Sequence, residues 1–204
     1  RMDAGKQLAR LLDDRDVEAD IVLAIPRGGL PVGRAVADAL RVPLDIIAAR
    51  KIGAPGNPEL AIGAVASDGS VWLNDRLIDQ IGVDDSYIDE GIDRERENAQ
   101  AKVDRYRKGR QEPEIAGKKV LIVDDGVATG ATTTACIRQV KNAGADRVIL
   151  GIPVGPPDSI KRLGSEVDEV VCVETPPHFG AVGQFYETFT QVTDEEAIDY
   201  LEPR

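Results

Sequence analysis

Apolar positions along the chain change period repeatedly between that of a helix and that of a buried strand. Residues 3–14 place Leu8, Leu11 and Leu12 on one side of an amphipathic helix. Ile21-Val22-Leu23-Ala24-Ile25 is a short unbroken apolar run, as expected of a strand covered on both faces in a parallel sheet. Pro26-Arg27-Gly28-Gly29 interrupts it, and a helix follows to about Leu40 with Leu30, Val36, Ala37 and Leu40 inward. After Pro43 the run Leu44–Ala49 predicts a second strand. The Gly/Pro-rich stretch Gly53-Ala54-Pro55-Gly56-Asn57-Pro58 then predicts a loop. Ala64–Ala66 and Val71–Leu73, joined by Ser67-Asp68-Gly69-Ser70, predict a hairpin. Asn74 or Asp75 caps a short helix ending near Gly82. Residues 84–108 form a long charged helix with sparse apolar anchors, read as a solvated face or as an arm or lid. Val120–Val123, Val148–Val154 and Val170–Val173 are further buried strands. Helices run to Asn142 and over about 158–165. This alternation predicts an α/β, doubly wound fold with a mainly parallel central sheet, helices on both faces, and ligands at the carboxyl ends of the strands.

One segment stands out chemically. Asp124 and Asp125 follow the strand at its carboxyl end, and Gly126, Thr129, Gly130, Thr132 and Thr133 lead directly into a helix. Glycines permit close backbone approach, and a helix start offers unpaired N–H groups to an anion. The carboxylates suit hydroxyls or a hydrated divalent cation. A phosphate cradle beside two such acceptors outlines a phosphorylated sugar. Ala131 stands where a Walker loop needs Lys, and Gly-x-Gly-x-x-Gly is absent. The plainer alternative is a polar turn that caps the next helix.

Val120-Leu121-Ile122-Val123-Asp124-Asp125-Gly126-Val127-Ala128-Thr129-Gly130-Ala131-Thr132-Thr133 resembles the phosphoribosyl-pyrophosphate motif of type I phosphoribosyltransferases. Ile25-Pro26-Arg27-Gly28-Gly29 is similar to that family's pyrophosphate loop. Arg50-Lys51 with the Gly/Pro-rich stretch resembles its mobile loop, here about 51–62. The end of the chain, about 175–204, resembles a variable hood, and the whole of 1–204 is then one such domain. The resemblance implies Mg2+-dependent transfer of a 5-phosphoribosyl group from 5-phosphoribosyl 1-pyrophosphate (PRPP) to a nitrogenous base, releasing pyrophosphate. It assigns the ribose hydroxyls and, directly or through water, the metal to Asp124 and Asp125. Gly126, Val127, Ala128, Thr129, Gly130, Ala131 and Thr132 take the 5′-phosphate. Arg27, Gly28, Gly29, Arg50 and Lys51 take the pyrophosphate, with Lys51 acting on the leaving group. Family members acting on 6-oxopurines often carry a carboxylate where Ala128 stands, so Glu59 is the remaining candidate for proton handling. On the base side the candidates are Val154, Phe179 and Tyr186, with a packed aromatic corner as the alternative for the two rings. A PRPP-sensing protein without turnover is the competing expectation for the whole chain, and a phosphosugar hydrolase has no evident water-activating base.

Composition narrows the partners. Of 204 residues, 36 are Asp or Glu and 25 Lys or Arg, a formal net charge of −11. Such acidity argues against a nucleic-acid partner, whose phosphates need a basic face. No apolar run spans a bilayer and Arg1–Gly5 does not open like a secretory signal, so no membrane partner and a cytoplasmic location are expected. The chain starts at Arg1 with Met2 second, as a piece of a longer polypeptide would. The 22 Asp against 8 Lys suggest adaptation to high salt, an ordinary acidic enzyme being the alternative. Cys136 and Cys172 are read as small core residues, and His178 as exposed. A homodimer is expected.

Overall fold

The computed structural model describes residues 1–202; the last two residues of the hood-like segment expected over 175–204 lie outside it. Five strands, β1 (Ile21–Ala24), β2 (Leu44–Ile46), β6 (Lys119–Val123), β7 (Arg147–Val154) and β8 (Glu169–Glu174), form one sheet in the order β2-β1-β6-β7-β8. Every neighbouring pair is parallel, with Val22 opposite Leu121 and Ile122 opposite Leu150. The unbroken apolar runs follow from this: successive side chains point to opposite faces, and both faces are covered. Ile21, Leu23, Val120, Ile122 and Leu150 pack with Cys136, Ile137 and Val140 of α5 (Ala131–Asn142) and Leu163 of α6 (Pro157–Gly164). Val22, Leu121, Val123 and Ile149 pack on the other face with Leu8 and Leu12 of α1 (Met2–Asp14) and Val32 and Val36 of α2 (Gly29–Leu40). Each fully buried Leu or Ile removes enough apolar surface from water to contribute about 1.5–3 kcal/mol.

The structure departs from expectation between residues 47 and 66. The second strand stops at Ile46, and the predicted loop is a hairpin: β3 (Ala49–Ala54) turns through Pro55-Gly56 into β4 (Asn57–Ala66), which pairs onward with β5 (Val71–Leu73). Gly56 has φ +73°, which explains the glycine in the turn. Gly53 lies so close to the Pro58 backbone that a Cβ there would stand 2.6 Å from it, and the register slips between Ile52 and Ala54. The glycines and prolines that read as breakers are thus a bulge and a turn inside an antiparallel sheet.

Asn74 caps α3 (Asp75–Ile81) by accepting the Leu77 N–H at 3.2 Å, and Gly82 closes it at φ +64°. The long charged helix α4 (Asp85–Arg107) is more than a solvated face. Ile88 packs against Ile52, Ile62 and Val65 of the small sheet, while Val103 and Tyr106 pack against Leu30 and Ile46. Gly91 and Ala99 supply buried contact through smallness, so the stripe is poor in large apolar residues yet continuous. After β8 the chain makes a 3-10 turn at Val182–Phe185 and then α7 (Asp194–Leu201), whose start is closed by a reciprocal Thr193–Glu196 capping box. Cys136 is fully buried, but Cys172 is a correction: it is half-buried on the edge strand β8. His178 is exposed. No helix among the described residues is long and apolar enough to cross a membrane.

Candidate active site

Two connections of the parallel sheet and the hairpin of the small sheet meet at one place. The β1–α2 turn carries Pro26–Gly28, the β6–α5 loop carries Asp124–Gly130, and the β3–β4 hairpin arches beside them. Together with α4 they line a cleft of about 550 Å³ that includes Gly28, Arg50, Lys51, Glu59, Asp124, Asp125 and Thr132. The two turns are in contact. A Cβ at Gly28 would stand 2.0 Å from Asp125 Oδ2, and one at Gly29 would stand 2.9 Å from the Val123 carbonyl oxygen and 3.1 Å from Asp124 Cα. Glycine is required at both positions by space, since Gly28 itself has ordinary right-handed φ/ψ of −62° and −32°.

The acidic pair is held asymmetrically. The Asp125 N–H donates to Asp124 Oδ1 at 2.8 Å. Protein atoms surround the Asp124 carboxyl, and this desolvation, with the Asp125 charge beside it, raises its pKa well above the carboxylate range. Asp125 Oδ2 accepts from Arg1 Nε at 2.7 Å, and the Tyr186 hydroxyl donates to the Asp125 carbonyl. Burial, then the Asp125 charge, pushes the Tyr186 phenol up, so it stays a donor.

The loop into α5 is braced from outside. Arg162 of α6 donates to the Thr129 carbonyl and, at 3.3 Å, to Thr134 Oγ1, while Ser159 Oγ donates to the Ala128 carbonyl at 2.6 Å. Gly130 turns at φ +71° to start the helix. The Val127 N–H is taken by the Val154 carbonyl at 3.0 Å, which removes it from the run expected to face a phosphate. Ala128 to Thr132 make no backbone bond through their N–H groups among the described residues, and Ala131 and Thr132 stand at the positive end of the α5 dipole.

Of the residues singled out for an anion, Arg50 and Lys51 of β3 border the cleft, with the Arg50 guanidinium 3.4 Å from Glu95 of α4. Burial alone would push the Glu95 carboxyl up; bonds from Asn98, Arg94 and Arg50 outweigh it and hold the pKa below the ordinary value. Arg27 does not line the cleft: its guanidinium is turned to Asp194 at 3.5 Å, where Arg105 and the Tyr106 hydroxyl also converge. Glu59 is an exposed residue of β4 that borders the same cleft. Val154 and Tyr186 border a separate cavity, whereas Phe179 stacks on Phe185 at 5.2 Å, as in the packed-corner alternative.

Sequence reasoning missed Arg1 and Lys102. Lys102 of α4 lies in the same cleft with Nζ 3.4 Å from the Pro26 carbonyl. Burial first, then the charges of Arg50 and Arg27, lowers its pKa. Its signal was a single Lys inside a charge run, which only packing distinguishes from its neighbours. Arg1 carried no signal, because its partners stand at Asp125 and Thr190.

Among the described residues no three His, Cys, Asp or Glu side chains cluster as a metal cage. Two adjacent carboxylates, one of them desolvated, still fit Mg2+, which commonly takes one or two carboxylates and completes its shell with water and substrate phosphates.

The profile of the phosphoribosyl transferase domain matches residues 2–190, and the chain belongs to that family. Over 202 residues it is 43% identical to a Mycobacterium tuberculosis protein provisionally described as a phosphoribosyl transferase; the alignment covers 99% of this chain and 46% of that one, so the chain spans less than half the length of this relative. A hypoxanthine/guanine phosphoribosyltransferase of Methanocella paludicola is 26% identical over 172 residues, 82% of this chain and 69% of its own. The crystal structure of TT1426 from Thermus thermophilus superposes with a TM-score of 0.83 at 40% identity, covering 98% of this chain and 95% of that one. The five-stranded parallel sheet with its helices and small antiparallel sheet is the type I phosphoribosyltransferase fold.

Proposed function

We propose that this chain transfers the 5-phosphoribosyl group of PRPP to a ring nitrogen of a base: the N–C1′ bond forms, the C1′–O bond to pyrophosphate breaks, and the nitrogen's proton leaves to solvent or a nearby carboxylate. The observation that carries this reading is the contact of the Gly28-Gly29 turn with the Asp124-Asp125 loop in one cleft that also holds Arg50, Lys51 and Lys102. Asp124 and Asp125 bind the ribose hydroxyls, and the Asp125 charge stabilises the oxocarbenium character that develops at C1′. The amides from Ala128 to Thr132, with the threonine hydroxyls, hold the 5′-phosphate. Gly28, Gly29, Arg50, Lys51 and Lys102 receive the pyrophosphate, and Arg27 joins them by exchanging Asp194 for phosphate oxygen. Asp124 and Asp125 would hold Mg2+ directly or through water, and the ion would supply charge neutralisation to the donor. Glu59 stands exposed on the hairpin at the rim of the cleft, so we assign it no proton transfer.

The test is pyrophosphate release from PRPP and Mg2+ with purine, pyrimidine and pyridine bases offered singly, at low and multi-molar salt, alongside calorimetric titration of PRPP. Turnover with one base class supports the reading. Tight PRPP binding with no release from any base moves the assignment to a PRPP sensor, and no PRPP binding refutes both.

A further inference from the structure

Two neighbouring peptide units of the loop into α5 have their carbonyls taken from the same side. Ser159 Oγ donates to the Ala128 carbonyl at 2.6 Å, and the Arg162 guanidinium donates to the Thr129 carbonyl. The donors lie three residues apart on α6, so they share a helix face. A trans peptide is planar, with its N–H directed opposite to its C=O, and both of these units are trans. Holding the carbonyls towards α6 therefore turns the N–H groups of Thr129 and Gly130 away from it. No residue of α6 lines the cleft, and neither N–H makes a backbone hydrogen bond among the described residues. Two adjacent amides are thus left free, and the side chains behind them fix where they point.

The brace is itself held in place. The chain enters α6 through Pro156-Pro157, whose rings set φ, and Leu163 is fully buried in the core beneath the helix. Arg162 also donates to Thr134 Oγ1 at 3.3 Å, and that hydroxyl donates to the Gly130 carbonyl at 2.8 Å, so one guanidinium ties the loop to the first turn of α5. Its carbon lies 5.5 Å from the ring centroid of Trp72 on β5, and Trp72 packs against the small cluster that includes Ala131 and Ala135 of α5. Glu166, one turn further along, pairs with Arg138 at 3.9 Å, and Arg162 makes no ion pair among the described residues. Its charge therefore stands behind the loop without a carboxylate partner, where it favours a bound anion.

We propose that Ser159 and Arg162 are positioning residues: from outside the site they aim the Thr129 and Gly130 amides at the donor's 5′-phosphate and set its affinity without touching it. Amides fixed before the ligand arrives need no reorganisation to receive its charge. The proposal rests on the reading of Ala128–Thr132 as the 5′-phosphate loop.

The test uses the full chain with Mg2+ and calorimetry with two probes. Ribose 5-phosphate carries the 5′-phosphate alone, and pyrophosphate stands for the leaving group alone. Arg162→Met should weaken ribose 5-phosphate by at least about tenfold and Ser159→Ala by about threefold, with pyrophosphate affinity unchanged in both. Ser159→Ala removes one hydroxyl from a partly exposed position and carries the test by itself if Arg162→Met does not fold. In the parent, the Thr129 and Gly130 amide resonances should move on adding ribose 5-phosphate and stay put with pyrophosphate. Unchanged ribose 5-phosphate affinity in the folded variants, equal losses for the two probes, or unmoved Thr129 and Gly130 amides at saturation each overturns the brace alone. A parent that binds pyrophosphate but neither ribose 5-phosphate nor PRPP overturns the 5′-phosphate reading on which it rests.

Discussion

Gly28→Ala isolates the contact between the two turns better than any charge removal. The backbone at this position is already in the right-handed region, so an alanine meets no conformational obstacle and slightly stiffens the unfolded chain. The difficulty is the added methyl group. It would stand 2.0 Å from Asp125 Oδ2 and 2.5 Å from Cγ, about 1.4 Å short of the 3.4 Å at which ordinary contact begins. Asp125 cannot simply swing aside, because Arg1 Nε grips the same oxygen at 2.7 Å and both side chains are largely buried, 11% and 13% exposed. Either the carboxylate shifts by about an ångström or the β1–α2 turn does. Such overpacking costs about 2 kcal/mol, which at this chain length lowers Tm by about 4–8 °C. The effect on function should be larger, since misplacing a group by about 1 Å lowers kcat/KM by about 100-fold. Thermal unfolding and PRPP titration on the same sample separate the two. Gly82→Ala is the control: φ there is +64° with open space around it, so stability falls by about 1–2 kcal/mol without touching donor binding. If folded Gly28→Ala binds PRPP with Mg2+ within about threefold of the parent and turns over normally, Asp125 does not contact the donor as argued.

Asp125→Asn should cut turnover by at least about 100-fold by removing the charge set against C1′, and undiminished turnover would sink that role. Lys51→Ala, at an exposed position, should lower kcat more than PRPP affinity, because its partner charge grows on the leaving group; a pure affinity effect in steady-state kinetics would show ordinary ground-state binding. Lys102→Met should weaken PRPP by about 10-fold or more and leave the ligand-free protein as stable or more so. Its ammonium is disfavoured by burial and by Arg50 and Arg27, so the folded pKa lies below the unfolded one. The unfolded chain therefore binds more protons between the two values, and parental stability rises with pH through the folded pKa; denaturant titration of Lys102→Met should lack that rise. Cys172 should be the one thiol to alkylate in the folded protein. Burial pushes its pKa up to about 11, so its reaction at neutral pH runs about 100-fold below that of a free thiol and climbs with pH towards that value; rapid labelling of two thiols at neutral pH would refute this.

What the sequence could disclose depended on whether the determining contacts were local. The strand at Val120–Val123 buries both faces and must be apolar throughout, so it was legible, and the acidic pair at its end inherits its position from that strand. The hairpin at 49–66 was not, because Gly53 and Pro58 register as chain breakers until the close approach of their backbones is known. The buried stripe of α4 escaped notice because Gly91 and Ala99 contribute contact without hydrophobic bulk. Charges were the least legible of all. Arg27 sits where a pyrophosphate ligand is expected yet turns to Asp194, 167 residues away, while Arg1 reaches Asp125 across 124. The net charge of −11 likewise fails to describe the site. Its acid is distributed along the chain, whereas the cleft gathers Arg50, Lys51, Arg94 and Lys102 against Glu59, Glu95, Asp124 and Asp125, so the local balance of charge differs from that of the whole molecule.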